Sequence, residues 1–409
     1  MVLSDLKISF AAIFKKMSLY NQRGVSAHKE EVLAATEKLS KGLFPHAFCK
    51  LYPDFLGGDS DFINVMHADG AGTKSILAYL YWKETGDASV WAGIAQDAIV
   101  MNLDDLLCVG IYDNIVFNST IDRNKHLIPG EVLDKIINGT QDFFDLLSGY
   151  GVNIHYLGGE TADVGDVVRT VAVNGTMTTR WPKNKIITND KIAPGNVIVG
   201  LASFGKAIYE TEYNSGIGSN GLTSARHDAL SKHYATHFKE SYDPGTNEEV
   251  VYIGKNKMTD IVKFSNDKFI SEIEIGKLLL SPTRTFAPVF MKLFESQFDN
   301  INGIIHCSGG GQTKCMKYMP GNFKVIKDNL FSPPPVFQLI QANSGASLRE
   351  MYEVFNMGCR MEIYCDEKYA QEIIDIAASF SIDAQIIGRV EVDVKKTLEI
   401  RIGEELIVY

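Results

Sequence analysis

The chain has only six cysteines in 409 residues, and none falls in a C-x-x-C pair. Cys49, Cys108, Cys307, Cys315, Cys359 and Cys365 stand singly, which excludes a zinc ribbon or disulfide framework and fits a reducing compartment, the cytoplasm. No apolar run approaches the roughly eighteen residues of a membrane span, so no membrane association is expected. No basic cluster offsets the formal charge of -10, and nucleic acid is not an expected partner. Twelve prolines against 35 glycines, with 45% hydrophobic and 22% charged residues, exclude wholesale disorder and describe a globular chain with a sizeable core. At roughly 150 residues per domain, the length suggests two to three domains. Near the start, Leu3, Leu6, Phe10, Ile13, Phe14 and Met17 recur at helical spacing among charged residues, the pattern of a docking helix and not of a signal peptide.

Strands alternate with helices in two blocks, which predicts an α/β (α+β) architecture of two domains. A strand is expected over 62–66, stopping at His67-Ala68-Asp69 before the turn Gly70-Ala71-Gly72-Thr73-Lys74. A broad helical pattern over 89–109 carries Asp97, Asp104 and Asp105 among apolar residues. Further strands are expected over 115–121, 154–157 and 167–178, with an amphipathic helix over 132–147 and a second turn at Gly158-Gly159-Glu160-Thr161. Pro182 and Pro194 bracket a border near 183–195. The domains expected are a helical segment over 1–45, a first domain over 46–182 and a second over 193–409. The second carries an insertion near 234–268, a polar stretch too long for an ordinary loop.

Glycine turns beside acids are the main chemical signal. Glycine lets backbone N–H groups approach an anion, and a neighbouring carboxylate can hold the Mg²⁺ that accompanies a nucleoside triphosphate. Asp69 with Gly70 and Gly72, and Glu160 with Gly158 and Gly159, fit that reading; Asp69 capping its own turn and Glu160 opening the next segment are the alternative. Asp97 and Asp104 share a helix face while Asp105 points about 100° away, and carboxylates on an apolar helix suit metal coordination near the Asp69 turn, a solvated stripe being the alternative. Thr73 separates Gly72 from Lys74, so the turn is not a P-loop, and the G-x-G-x-x-G of 216–221 follows polar residues where a dinucleotide site needs an apolar strand. His306 precedes Gly309, Gly310 and Gly311 and is a candidate proton-transfer group at a cleft rim, or else a satisfied structural histidine. Arg284, at an expected helix start after Ser281-Pro282-Thr283, is a candidate phosphate clamp or a surface ion pair.

In this order, Asp69-Gly-Ala-Gly-Thr-Lys74, Leu103-Asp-Asp-Leu106, Gly158-Gly-Glu-Thr-Ala162, Ser219-Asn-Gly221, Pro282-Thr-Arg284, His306 with its three glycines, and Met351-Tyr-Glu-Val-Phe-Asn-Met-Gly358 resemble the phosphoribosylformylglycinamidine cyclo-ligase (aminoimidazole ribonucleotide synthetase) family over about 20–390. The last segment is more particular to the cyclo-ligase than the first and third motifs, which sister kinases and synthetases share. The resemblance implies an N-terminal domain that pairs across a homodimer into a β-barrel and a C-terminal α/β domain. The implied reaction is ATP-dependent closure of formylglycinamidine ribonucleotide to aminoimidazole ribonucleotide, with release of ADP and phosphate. It further implies ATP at Asp69, Gly70, Gly72, Thr73, Lys74, Gly158, Gly159, Glu160 and Thr161, and Mg²⁺ at Asp69, Asp104, Asp105 and Glu160. The ribonucleotide is expected at Ser219, Asn220, Gly221, Thr283, Arg284, Gly309 and Gly310, with His306, Lys74 and Asp105 as catalytic residues.

The chain departs from the family pattern at several positions: Asp104 replaces the usual Asn, Arg360 occupies a usual glycine, and Lys314-Cys315 replaces Glu-Asn. Extra residues lie before Ser219 and between His233 and Lys268. A small-molecule kinase or selenophosphate-type synthetase on the same fold is the alternative function. It needs no Met351 to Gly358 segment, and the reactive cysteine of the second kind is missing from the N-terminal glycine-rich loop.

Overall fold

The computed structural model describes residues 18–26, 30–266 and 269–409. The docking helix expected over 3–17 lies outside the described residues. The first half forms an open five-stranded sheet in the order β1 (Tyr52–Pro53), β2 (Phe62–Gly70), β5 (Val171–Pro182), β3 (Ile115–Arg123) and β4 (Ile154–Asp163). Helices α1 (Lys74–Thr85), α2 (Val90–Leu107) and α3 (Gly130–Ser148) pack on it. β5 alternates buried and less buried residues along its whole length, the signature of a sheet covered on one face. The other face is open and exposes large apolar side chains, with Met66 at 72% and Leu157 at 66% exposure.

The second half is built on a seven-stranded sheet. β6 (Asn196–Ala202) and β11 (Cys359–Asp366) lie near one end beside β9 (Ile301–His306), and β12 (Ala384–Val392), β10 (Phe323–Lys327), β13 (Thr397–Ile402) and β14 (Glu405–Val408) continue it to the other. Seven consecutive residues of β11 are buried, because both faces of this part of the sheet are covered. The helices named below are α4 (Leu222–Ala229), α5 (Ile275–Leu280), α6 (Ala287–Ser296), α7 (Pro335–Ser344), α8 (Leu348–Val354) and α9 (Glu367–Ser379). Most strand pairs are antiparallel; β3 with β4 and β10 with β13 are parallel.

Two expectations change. Gly158 to Thr161 is not a turn but the middle of β4, paired parallel with β3 so that Gly159 stands opposite Ser119 and Glu160 opposite Thr120. Gly158 adopts φ +86° at the irregularity, and a Cβ on Gly159 would lie 2.1 Å from the Ser119 carbonyl, so the glycines serve strand pairing there. Likewise β2 runs on to Gly70, because β5 pairs with it as far as Asn174.

The stretch expected as an insertion is folded. Short helical turns at His233–His237, Lys239–Ser241 and Glu248–Val250 lead into the hairpin of β7 (Ile261–Asn266) and β8 (Phe269–Glu274). Tyr234 and Tyr252 are fully buried beneath it, with their rings 5.9 Å apart and His227 edge-on to Tyr252 at 4.6 Å. Aromatic packing of this kind joins the segment to the core of the protein.

Gly388 lies where β12 crosses β10, and a Cβ there would stand 1.9 Å from the Ile326 carbonyl. Gly388→Ala must push the two strands apart in the buried sheet. It is expected to destabilise the protein by on the order of 1–3 kcal/mol, read as a lowered midpoint of denaturant unfolding with the wild-type slope.

Candidate active site

Helix α2 carries the acids, and it is almost wholly buried. A buried carboxylate must be paired or hydrogen-bonded, and each of the three finds its partners in other segments of the fold. Asp97 Oδ1 accepts from Lys74 Nζ at 2.8 Å, from the Thr283 backbone N–H at 2.7 Å and from Thr283 Oγ1 at 2.6 Å. Lys74 Nζ also donates to the Ser281 carbonyl at 2.6 Å. Asp104 accepts from Arg360 Nη2 at 2.9 Å, Thr285 Oγ1 at 2.8 Å and the Phe286 N–H at 3.3 Å. Burial pushes its carboxyl pKa up, against the opposing pull of Arg360.

Asp105 lies between two imidazoles, with His306 Nδ1 2.6 Å from Oδ1 and His67 Nε2 3.1 Å from Oδ2. Burial pushes this carboxyl up, but the hydrogen bonds from His306 and His67 outweigh it and hold the group well below the usual carboxylate range. His67 is pushed up to about 9: burial lowers it, and the Asp105 hydrogen bond and charge more than reverse the effect. Its other ring nitrogen lies 3.0 Å from Asn102 Oδ1.

The candidate residues therefore divide into an interior set and an open set. Lys74, His306, Thr283, Arg284 and Asp104 are all buried. His306 does not stand at a cleft rim, because both ring nitrogens are engaged, Nδ1 with Asp105 and Nε2 with Arg360 Nη1 at 3.1 Å. Arg284 is not a phosphate clamp in this arrangement. Its guanidinium holds Glu210 through Nε and Nη2 and donates from Nη1 to the Ala202 and Phe204 carbonyls. The segment around it carries no regular secondary structure, and α6 begins only at Ala287. Lys74 is bound to Asp97 and does not face an open phosphate site.

Asp69, Gly72, Gly158, Gly159, Glu160 and Thr161 are exposed, while Gly70, Thr73, Ser219, Asn220, Gly221, Gly309 and Gly310 are half-buried. Asp104 and Asp105 are committed to Arg360, Thr285, His306 and His67, so Asp69, Asp104, Asp105 and Glu160 do not form one Mg²⁺ site. Among the described residues no group of three or more His, Cys, Asp or Glu side chains is disposed to hold a metal ion.

The half-buried residues come from both halves and meet. Thr73 Oγ1 lies 2.9 Å from Thr223 Oγ1, and Ser219 Oγ lies 2.8 Å from Thr283 Oγ1. Gly216, Gly218 and Gly221 all take positive φ, so the loop before α4 bends in a way few other residues permit. Asn356 anchors it, donating from Nδ2 to the Gly216 carbonyl at 2.9 Å while Oδ1 accepts from Ser203 Oγ and the Gly358 N–H. His67 and Asn102 were missed by sequence reasoning. The signal lay in the period of two along β2, which puts His67 on the face of Ile63 and Val65, toward the helices.

Two outcomes follow from this geometry. Lys74→Met strands the Asp97 carboxylate in the interior and is expected to cost about 3–5 kcal/mol of stability, measured by denaturant unfolding. The stabilisation from His67, whose folded pKa of about 9 lies above its unfolded value of about 6.5, is complete below that unfolded value and is lost as pH rises through the folded one. That from Asp105 is present above roughly pH 3.9 and is lost as pH falls further. His67→Gln should flatten the alkaline limb of stability against pH, seen in unfolding midpoints taken from neutral pH upward.

Comparison with known proteins follows the two halves. The description "AIR synthase related protein, N-terminal domain" matches residues 57–181, and its C-terminal counterpart matches 273–401. The chain is 29% identical over 331 residues to a phosphoribosylformylglycinamidine cyclo-ligase of Methanocaldococcus jannaschii, covering 81% of this chain and 79% of that one. It is 28% identical over 373 residues to the protein of the same name from Thermococcus kodakarensis, at 88% and 92% coverage. Among solved structures, AaThiL complexed with AMPPCP and TMP matches with a TM-score of 0.51 at 11% identity, covering 93% of this chain and 95% of that one, a likeness of fold. Against PurLQS from Thermotoga maritima (TM-score 0.47, 12% identity) 85% of the chain is covered, but it spans only 43% of that longer chain. With both domains matched in order over well over half its length, the chain belongs to the AIR synthase related proteins.

Proposed function

We propose that this protein is an ATP-dependent cyclo-ligase that closes formylglycinamidine ribonucleotide to aminoimidazole ribonucleotide, releasing ADP and phosphate in purine biosynthesis. The observation that carries the reading is the place of Asn356. It belongs to the Met351 to Gly358 segment, the one most particular to the cyclo-ligase resemblance, and it anchors the glycine loop that presents Ser219, Asn220 and Gly221 beside Thr73. The relatives named for this reaction, matched over most of their length, support it.

ATP fits the Asp69 turn. Gly72 has φ +58° with open space where a Cβ would stand, and α1 begins at Lys74 without a side-chain cap, leaving the positive end of a twelve-residue helix beside the turn. Asp69 is the exposed carboxylate at this turn that would hold a triphosphate's Mg²⁺; Asp104 and Asp105 are engaged in the interior, and Glu160 stands on β4, separated from β2 by β5 and β3. ATP supplies the phosphoryl group that turns the amide oxygen of the substrate into a leaving group, after which the amidine nitrogen closes the ring. Ser219, Asn220 and the Gly309–Gly310 turn hold the ribonucleotide against it. Lys74, Thr283, Arg284 and His306 act from beneath, fixing the segments that bear these groups.

The first domain, 46–182, serves as the ATP-binding unit and 193–409 as its partner, in a cytoplasmic homodimer. The open face of the first sheet, with Met66 and Leu157 exposed, supports pairing with a second copy. Sedimentation should give about twice 45.3 kDa, and a fully active monomer would refute the dimer.

Substrate labelled with heavy oxygen at its formyl group tests the reaction. The label is expected in inorganic phosphate, in step with aminoimidazole ribonucleotide. Label kept in an organic product, or ATP consumed without ring closure, would reject the cyclo-ligase in favour of a kinase. Asp69→Asn should lower kcat/KM by on the order of 10²-fold or more with little change in unfolding midpoint, since the side chain is exposed.

A further inference from the structure

A single hydrogen-bonded chain runs from the second half of the protein to the Asp69 turn, and its proton positions can be assigned from geometry. Asn102 Nδ2 lies within hydrogen-bonding distance of the carbonyls of Asp69, Ala98 and Gly175, at 3.1, 2.9 and 3.2 Å, which fixes its amide with Oδ1 as the acceptor. His67 Nδ1 must then donate to Asn102 Oδ1, and His67 Nε2 donates to Asp105 Oδ2, so the ring is an imidazolium. At the other oxygen of Asp105 stands His306 Nδ1. The state of that ring depends on its far nitrogen. Arg360 Nη1 can only donate, so His306 Nε2 accepts, and the ring proton resides on Nδ1 and points at Asp105.

Arg360 itself is held in place by two contacts and by burial. Its Nη2 is paired with Asp104 at 2.9 Å, its guanidinium lies 5.1 Å from the centre of the Phe286 ring, and it is buried. Asp104 and Arg360 are two of the positions at which the chain departs from the pattern it resembles, and the fold joins them as one ion pair across 256 residues of sequence. The guanidinium thus enters together with the carboxylate that neutralises it. Having two free nitrogens, it satisfies Asp104 with one and directs His306 with the other.

We propose that Arg360 is a positioning residue for the site. By donating to His306 Nε2 while anchored on Asp104, it closes that nitrogen to a proton and, together with Asp105 accepting at Nδ1, confines His306 to the Nδ1–H tautomer, and so sets the Asp105 carboxylate, His67 and, through Asn102, the backbone of Asp69. The proposal rests on the cyclo-ligase reading for its effect on turnover, but its structural content does not.

The test uses the full-length protein with ¹⁵N-labelled histidine rings. The wild type should show His306 as one tautomer, protonated at Nδ1. Arg360→Met with Asp104→Asn removes both charges together and leaves no unpaired ion in the interior. In that variant the His306 ring should lose its single-tautomer signature, and kcat for ring closure should fall by on the order of 10- to 100-fold. Arg360→Lys keeps a cation for Asp104, but its one ammonium lacks the fork that serves both partners; it should preserve the unfolding midpoint while losing the tautomer, and it carries the test if the double variant does not fold. A folded variant whose His306 remains wholly Nδ1–H, or one whose tautomer shifts while kcat stays at the wild-type value, would overturn the proposal. A wild type that closes no ring would count against the cyclo-ligase reading, and the ring spectra would still decide the role of Arg360.

Discussion

Three aspartates on one buried helix govern this molecule. Asp97, Asp104 and Asp105 lie on α2, and each carboxylate is neutralised by groups brought from elsewhere in the fold. Ionised carboxylates cannot remain in an apolar interior without partners, so the helix is stable only when the second half of the chain has packed against it. Thr283, Thr285, Arg360 and His306 are supplied by that half, and Lys74 and His67 by the first. The interface between the halves is thus specified by charge and hydrogen-bond geometry as well as by apolar contact. The same requirement sets the relative position of the Asp69 turn and the Ser219 loop.

That arrangement divides labour between buried and exposed residues. The groups left open to a ligand are glycines, hydroxyls, an amide and two acids, and Gly72, Gly158, Gly221 and Gly310 among them take a positive φ that favours glycine. The strongly charged side chains stand behind them. Asp97 holds Thr283, whose hydroxyl meets Ser219, so Ser219 is linked within two hydrogen bonds to the buried Lys74–Asp97 pair, and Thr73 meets Thr223 across the two halves. Such support keeps a site in one geometry before its ligand arrives.

The departures from the family pattern become coherent in the fold. Asp104 and Arg360, read separately, look like two losses of a usual residue, and together they are a buried pair. The extra sequence beyond His233 wraps around Tyr234 and Tyr252 and closes with a hairpin against α5. Its buried tyrosines show that it folds with the domain and is not appended to it. Charges along the last strands behave similarly on the surface, where Lys324 meets Glu399 at 2.8 Å between neighbouring strands.

The sequence alone determined the elements whose patterns are local. The broad apolar period of α2, the amphipathic α3 and the strands beginning at 62 and 115 were legible because side-chain periodicity records which face is buried. The glycine turn after Asp69 was legible for the same local reason. The ordered motifs also pointed to the family. What the sequence could not decide was where a polar side chain goes once two distant segments meet. Gly158 to Thr161 reads as a turn until β3 pairs with it, and β10, β13 and β14 are short and interleaved with charge, so their strand character comes from their neighbours. Lys74, Arg284 and His306 carry the chemistry of phosphate and proton transfer, and in the fold they serve Asp97, Glu210 and Asp105. Burial raises the cost of an unpaired charge so steeply that partners are selected by proximity in three dimensions, and proximity across two hundred residues leaves no period in the sequence.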